Sequence, residues 1–73
     1  RVLAIAPGRT LTPLNARVLD DEADREEALG TIPMGRFGSA EEMGRLAVVL
    51  CSNLSSYITG QSVIADGGYV IAQ

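Results

Sequence analysis

A chain of 73 residues with 47% hydrophobic content lies at the small end of what folds alone, since a domain of that size buries only about 60% of the surface its unfolded form exposes. One cysteine and no histidine exclude an internal disulfide and the usual Cys/His zinc site, and the absence of histidine and lysine removes the commonest general base and the commonest Schiff-base amine. Six basic residues, all arginine and scattered, against nine acidic ones give a net charge of −3, which argues against a nucleic-acid or anionic-membrane partner.

No apolar run approaches the roughly 18 residues of a membrane span. The lone Cys51 fits a reducing, cytoplasmic compartment. The chain opens on Arg1, and Val2 to Ala6 reads as a strand entered in its middle, so a piece of a larger protein is expected.

The first predicted element is a strand over Arg1 to Ala6, apolar almost throughout and therefore suited to burial on both faces of a parallel sheet. Pro7-Gly8 stops it, because proline lacks a ladder donor and glycine permits a sharp turn. Thr12-Pro13 is a helix-start signal, a hydroxyl able to cap followed by proline at the first helical position, and predicts a short helix over Pro13 to Leu19. The acids from Asp20 to Glu27 suit a helix start and a solvated face, with Gly30 as terminator. Ile32 to Gly38 is a loop too apolar to lie wholly in water.

The strongest helix signal runs from Ala40 to about Cys51. Ser39 and Glu42 form a capping box, and Met43, Leu46, Ala47 and Leu50 make a core-facing stripe that Val48 and Val49 widen toward a second packed surface. Gly44 costs this helix about 1 kcal/mol against alanine, a cost usually tolerated for close helix approach. A second strand, Gln61 to Ala65, is closed by Asp66-Gly67-Gly68. Strand, helical connection and strand make a parallel unit with a right-handed crossover, whose ligand edge is at the carboxyl ends of the strands, at Pro7-Gly8 and Asp66-Gly67-Gly68. Two strands cannot finish a domain. No glycine-rich phosphate loop or nucleophile–base pair is present, and Tyr57 and Tyr69 have no lysine to lower a phenol pKa. These residues describe a scaffold and binding segment.

Ile5-Ala6-Pro7-Gly8 with Thr12-Pro13, then Ile32-Pro33-Met34-Gly35-Arg36, the Ala40-Glu41-Glu42 helix start, and Tyr57-Ile58-Thr59-Gly60-Gln61 leading to Asp66-Gly67-Gly68 stand in the order and separation that resemble the carboxyl-terminal part of a short-chain dehydrogenase/reductase. The resemblance covers essentially the whole chain. It implies an α/β fold in which residues 1–73 are the C-terminal βαβ part of a single NAD(P)-binding, Rossmann-type, doubly wound parallel sheet: the last two strands, the crossover helix, and lid helices over about 13–36.

It further implies an NAD- or NADP-dependent oxidoreductase moving hydride between nicotinamide and a small-molecule carbonyl or alcohol substrate, in a homotetramer or homodimer. Pro7 and Gly8 would let backbone approach the nicotinamide, the Thr10 backbone would meet the carboxamide, and the Thr12 hydroxyl would bond the carboxamide or the pyrophosphate, or serve as a helix cap. Leu14, Val18, Leu29 and Met34 would be substrate-lid contacts. The family's phosphate-binding glycines and its Ser, Tyr and Lys catalytic residues have no match in this sequence, so no catalytic residue is assigned. Thr10 stands where the family usually has an apolar β-branched residue, Leu3 where asparagine is common, and Arg9 where aromatic residues often occur. The last departure implies a more polar or anion-friendly substrate mouth. Two other readings remain: a non-catalytic assembly module of the same fold, and an enoyl reductase of the same superfamily.

Overall fold

In a computed structural model, residues 1–16 and 21–73 are described. The elements are β1 (Ala4–Pro7), β2 (Thr10–Leu11), α1 (Glu22–Gly30), β3 (Gly38–Ser39), α2 (Ala40–Cys51) and β4 (Ser62–Ala65), with single 3-10 turns at Asn53–Ser55 and Val70–Ala72. Strands β1 and β4 pair in parallel from Ala4↔Ser62 to Pro7↔Ala65. Sequence pattern had marked both strands and their common direction.

Pro7 is inside the first strand rather than beyond it. Ala4 N and Gly8 N donate to Gln61 O and Ala65 O at 3.0 and 2.9 Å, and N–H groups alternate sides along a strand, so the Pro7 nitrogen faces away from β4 and its missing donor costs this ladder nothing.

A second parallel pair, β2 with β3, was not anticipated. Thr10 lies opposite Gly38 and Leu11 opposite Ser39, with Gly38 N donating to Arg9 O at 3.0 Å. Two-residue strands carry no periodicity, so only the chain's return to this point creates them.

Helix α1 starts at Asp21, whose Oδ1 accepts from Ala23 N at 2.9 Å and Asp24 N at 3.3 Å. Its acids are exposed, and Ala28 is buried. Gly30 is the last helical residue without a left-handed backbone, and the N–H of Thr31 closes the helix on Ala28 O. Over 13–16 the expected short helix is a turn, with Asn15 N and Ala16 N donating to Thr12 O, and its remainder is outside the described residues.

Helix α2 carries the expected capping box, with Glu42 N donating to Ser39 Oγ and Ser39 N to Glu42 Oε1, both at 3.1 Å. Leu50 is buried, Met43, Leu46 and Ala47 are half-buried, and Val48 and Val49 face out. Nothing among the described residues comes within 4 Å of a methyl placed on Gly44, so the expected close helix approach is absent there. The end of α2 is held by two groups that sequence reading had passed over. The buried Ser55 hydroxyl meets Leu50 O at 2.8 Å, and the Arg1 guanidinium donates to the carbonyls of Leu50, Ser52, Ser55 and Ile58 at 2.8–3.2 Å. A cation there also favours the negative end of the helix dipole.

Among the described residues only Ala28, Ile32 and Leu50 are buried apolar side chains. The radius of gyration is 14.1 Å, against about 11 Å for a self-contained domain of this length. The sheet face that carries Ala4 and Ile64 and the outer side of α2, with Val48 and Val49, are exposed.

Of the glycines, Gly8 has the closest neighbours. A Cβ there would lie 2.5 Å from Asp66 Cβ and 2.6 Å from Asp66 Cα. In the full-length polypeptide, Gly8→Ala is therefore expected to lower stability by about 1–3 kcal/mol through overpacking against backbone, measured by urea unfolding. An unchanged midpoint would show that the β1 and β4 ends separate at no cost.

Candidate functional site

The carboxyl ends of β1 and β4 carry two clefts that share Arg9, Ile64 and Asp66. One, of about 350 Å³, is lined by Ala6, Pro7, Gly8, Arg9, Ile32, Ile64, Asp66, Tyr69 and Val70 and is mostly apolar. The other, of about 370 Å³, runs from Arg9 past Met34, Arg36 and Gly38 to the first turns of α2. Open parallel sheets bind ligands at this edge, because strand ends and loops there leave backbone groups free.

The edge is built by its glycines and by Asp66. The Asp66 carboxylate accepts from Gly68 N and Val70 N, both at 2.9 Å, which fixes the turn after β4. Gly67 and Gly68 have φ of 66° and 96°, and methyls on them would reach Ile32 Cγ2 at 2.8 Å and Pro33 Cγ at 3.0 Å. Met34 N donates to Gly67 O at 3.0 Å, so the Ile32-Pro33-Met34 segment lies against Asp66-Gly67-Gly68. Gly8 thus has a reason of its own to be glycine, the Asp66 backbone, besides any ligand.

Of the residues singled out from sequence, Pro7 and Gly8 line the first cleft, and Met34 lines the second and is exposed. Thr10 and Thr12 lie on the loop that leaves Gly8. The Thr10 hydroxyl donates to Gly8 O at 3.1 Å, and since Gly38 bonds Arg9 O, the Thr10 N–H points away from β3. Thr12 is not the expected cap accepting from the following turn. Its hydroxyl donates to Asn15 Oδ1 at 3.3 Å, and the same oxygen accepts from Thr12 N at 2.8 Å. Asn15 Nδ2 donates to Thr10 O at 2.7 Å, joining both threonines through one side chain. An asparagine three residues after a threonine can bond back to that threonine's amide, a signal present in the sequence but not used. Leu14 is 92% exposed and Leu29 half-buried, neither lining a cleft, and Val18 is outside the described residues.

Arg36 closes the second cleft with a bidentate pair to Glu42, at 2.8 and 3.1 Å. The Arg36 hydrogen bond, then the Ser39 backbone amide, pull the Glu42 carboxyl down from 4.5 to about 2, and Arg36 is raised in turn. The pair is open to solvent, so its contribution is modest. Among the described residues no group of side chains could hold a metal ion, and no helix is long and apolar enough to cross a membrane.

A family profile described as Enoyl-(Acyl carrier protein) reductase matches residues 1–70. The chain belongs to the short-chain dehydrogenase/reductase family. Among its curated relatives, the 3-oxoacyl-[acyl-carrier-protein] reductase FabG of Thermotoga maritima is 48% identical over 97% of this chain and 28% of its own length. The uncharacterized oxidoreductase YohF of Escherichia coli is 45% identical over 97% of this chain and 27% of its own length. A Pseudomonas aeruginosa RhlG/NADP active-site complex superposes with a TM-score of 0.81 at 38% identity, over 94% of this chain and 28% of that one. The chain therefore spans little more than a quarter of the length of these short-chain dehydrogenase/reductases. The matched structures are Rossmann-fold proteins of this family, several with NADP bound.

Because the folded Glu42 carboxyl lies below its unfolded value, its support of the α2 start is present above about pH 4.5 and lost as pH falls toward about 2. Arg36→Gln is expected to move the Glu42 carboxyl upward toward 4.5, read by NMR titration of its side-chain carbon. An unmoved titration would mean that the Ser39 amide alone sets it.

Proposed function

We propose that this chain is the carboxyl-terminal segment of an NAD(P)-dependent oxidoreductase that transfers hydride between nicotinamide and a small-molecule carbonyl or alcohol, working in the cytoplasm as a homo-oligomer. The observation that carries this reading is the strand-end cleft at Pro7-Gly8 in a chain whose relatives are oxidoreductases and whose solved neighbours include NADP complexes.

The residues fit such a group. Pro7, Gly8 and Ala6 give a flat, apolar wall at the edge, where a planar ring can lie without stranding a backbone donor. Thr10 offers an N–H that the β2–β3 ladder does not use, and Thr12 an oxygen with lone pairs to spare. The nicotinamide, when bound, supplies or takes the hydride. These residues would hold it in place, a positioning role that needs no proton transfer from this segment. The family's proton-transferring Ser, Tyr and Lys are assigned to no residue of this segment, Tyr57 and Tyr69 included.

Residues 13–36, with Leu14, Val18, Leu29 and Met34, form the substrate lid in this reading. The exposure of Leu14 and Met34, at 92% and 63%, supports it, since a lid presents apolar side chains to a ligand rather than to the core. The open side of α2, with Val48 and Val49 exposed at 69% and 40%, is the subunit interface.

Full-length protein incubated with NADH or NADPH and a panel of ketones is expected to consume reduced nicotinamide. Binding without turnover of any substrate would favour the assembly module. The match to an enoyl reductase profile favours a second reading, reduction of a carbon–carbon double bond beside a carbonyl; consumption with enoyl but not keto substrates would establish that one. Thr12→Val should raise the KM for the dinucleotide roughly 5- to 10-fold through loss of about one hydrogen bond; an unchanged KM would remove Thr12 from the site. Val48→Asp should lower the oligomeric mass seen by sedimentation, and an intact oligomer would remove α2 from the interface.

A further inference from the structure

Asn15 sits in the loop that follows the strand-end turn, and its carboxamide has three partners with unequal chemical freedom. Nδ2 donates to Thr10 O at 2.7 Å, while Oδ1 accepts from Thr12 N at 2.8 Å and from Thr12 Oγ1 at 3.3 Å. A backbone carbonyl can only accept and a backbone N–H can only donate, so the two short bonds leave Asn15 a single amide orientation. With that orientation fixed, the atom facing the Thr12 hydroxyl is an oxygen, which can only accept. The nearest acceptor for the Thr12 hydroxyl proton is therefore Asn15 Oδ1, across a long contact of 3.3 Å. With that contact made, what Thr12 retains for a ligand is a lone pair.

We propose that Asn15 is a positioning residue that holds the Thr12 hydroxyl as a hydrogen-bond acceptor, so that the loop selects a cofactor group that donates, an amide N–H, over one that can only accept. The inference rests on the nicotinamide-side reading given above and decides between two partners for Thr12. A pyrophosphate oxygen needs a donor, and the Thr12 hydroxyl can serve it only by turning away from Asn15. The nicotinamide carboxamide presents an NH2 that suits the lone pair, and a carbonyl that suits the Thr10 N–H, which points away from β3. Asn15 bonds the Thr10 carbonyl and both Thr12 groups, so one side chain sets the relative position of the donor and the acceptor that read the two ends of an amide. Asn15 touches no reacting atom in this scheme and acts through Thr12.

The test uses the full-length protein and two forms of the reduced dinucleotide, one with the natural carboxamide and one with an acetyl group in its place, which keeps the carbonyl and lacks the N–H. The wild type should bind the carboxamide form roughly 3- to 10-fold more tightly, read as the dissociation constant of each dinucleotide by isothermal titration. Asn15→Ala frees the Thr12 hydroxyl to rotate and donate to a carbonyl as well as accept from an N–H, and should lower that preference, read in the two dissociation constants. Asn15→Asp keeps the accepting oxygen and should keep the preference, whatever it does to stability. A merely structural Asn15 would weaken binding of both dinucleotides in parallel, and a preserved preference in Asn15→Ala would overturn the proposal. Should Asn15→Ala fail to fold, a preference lost in Asn15→Asp overturns it equally. Thr12→Val separates the two levels: loss of preference there with none in Asn15→Ala removes the role of Asn15 and leaves the cofactor reading standing. Absence of binding of either dinucleotide to the wild type removes both.

Discussion

The approach of Gly8 to Asp66 is the constraint on which the rest of the structure depends. The ends of β1 and β4 meet with no room for a side chain at Gly8, a Cβ there falling 2.5 Å from Asp66 Cβ. Asp66 is thereby held where its carboxylate can take the amides of Gly68 and Val70, and the turn it makes places Gly67 and Gly68 with positive φ against Ile32 and Pro33. That contact brings in the Ile32-Pro33-Met34 segment, and the turn at Gly35 then delivers Arg36 to Glu42 at the start of α2. Four separate stretches of sequence converge because one residue lacks a side chain.

The loop leaving Gly8 is ordered by a different kind of interaction. Its backbone would be exposed polar chain were it not pinned on one side by β3 and on the other by the Asn15 carboxamide. Bonded on both sides in this way, the loop keeps the Thr10 N–H outside the β2–β3 ladder. Preorganisation of that kind reduces the ordering cost a ligand would otherwise meet.

The open surfaces follow from how little the described residues enclose. With three buried apolar side chains, the gain from burial cannot by itself offset the conformational entropy of a chain this long. Leu3 and Ile5 face the apolar stripe of α2 and line, with Ala47 and Leu50, a cleft between them. On the other face of the sheet Ala4 and Ile64 are exposed, and Ala6 and Ile64 share an open cleft with Ile32, Tyr69 and Val70. A doubly wound sheet covers both faces with helices, and the family's Rossmann neighbours follow that plan.

Much of this was legible from residues alone, where local rules suffice. Apolar runs closed by Pro7-Gly8 and Asp66-Gly67-Gly68 marked two parallel strands, Ser39 with Glu42 marked the start of α2, and the stripe ending at Leu50 marked its buried side; each depends on residues within a few positions of one another. The β2–β3 pair, the clasp of Arg1 on the end of α2, the Asp66 contact that makes Gly8 obligatory and the role of Asn15 depended on groups brought together by the chain's return, or on a choice between hydrogen-bond partners that composition leaves open. Periodicity reports which way a side chain faces. What it meets there is set by distances between segments that share no local pattern, and these exist only once the strands have paired.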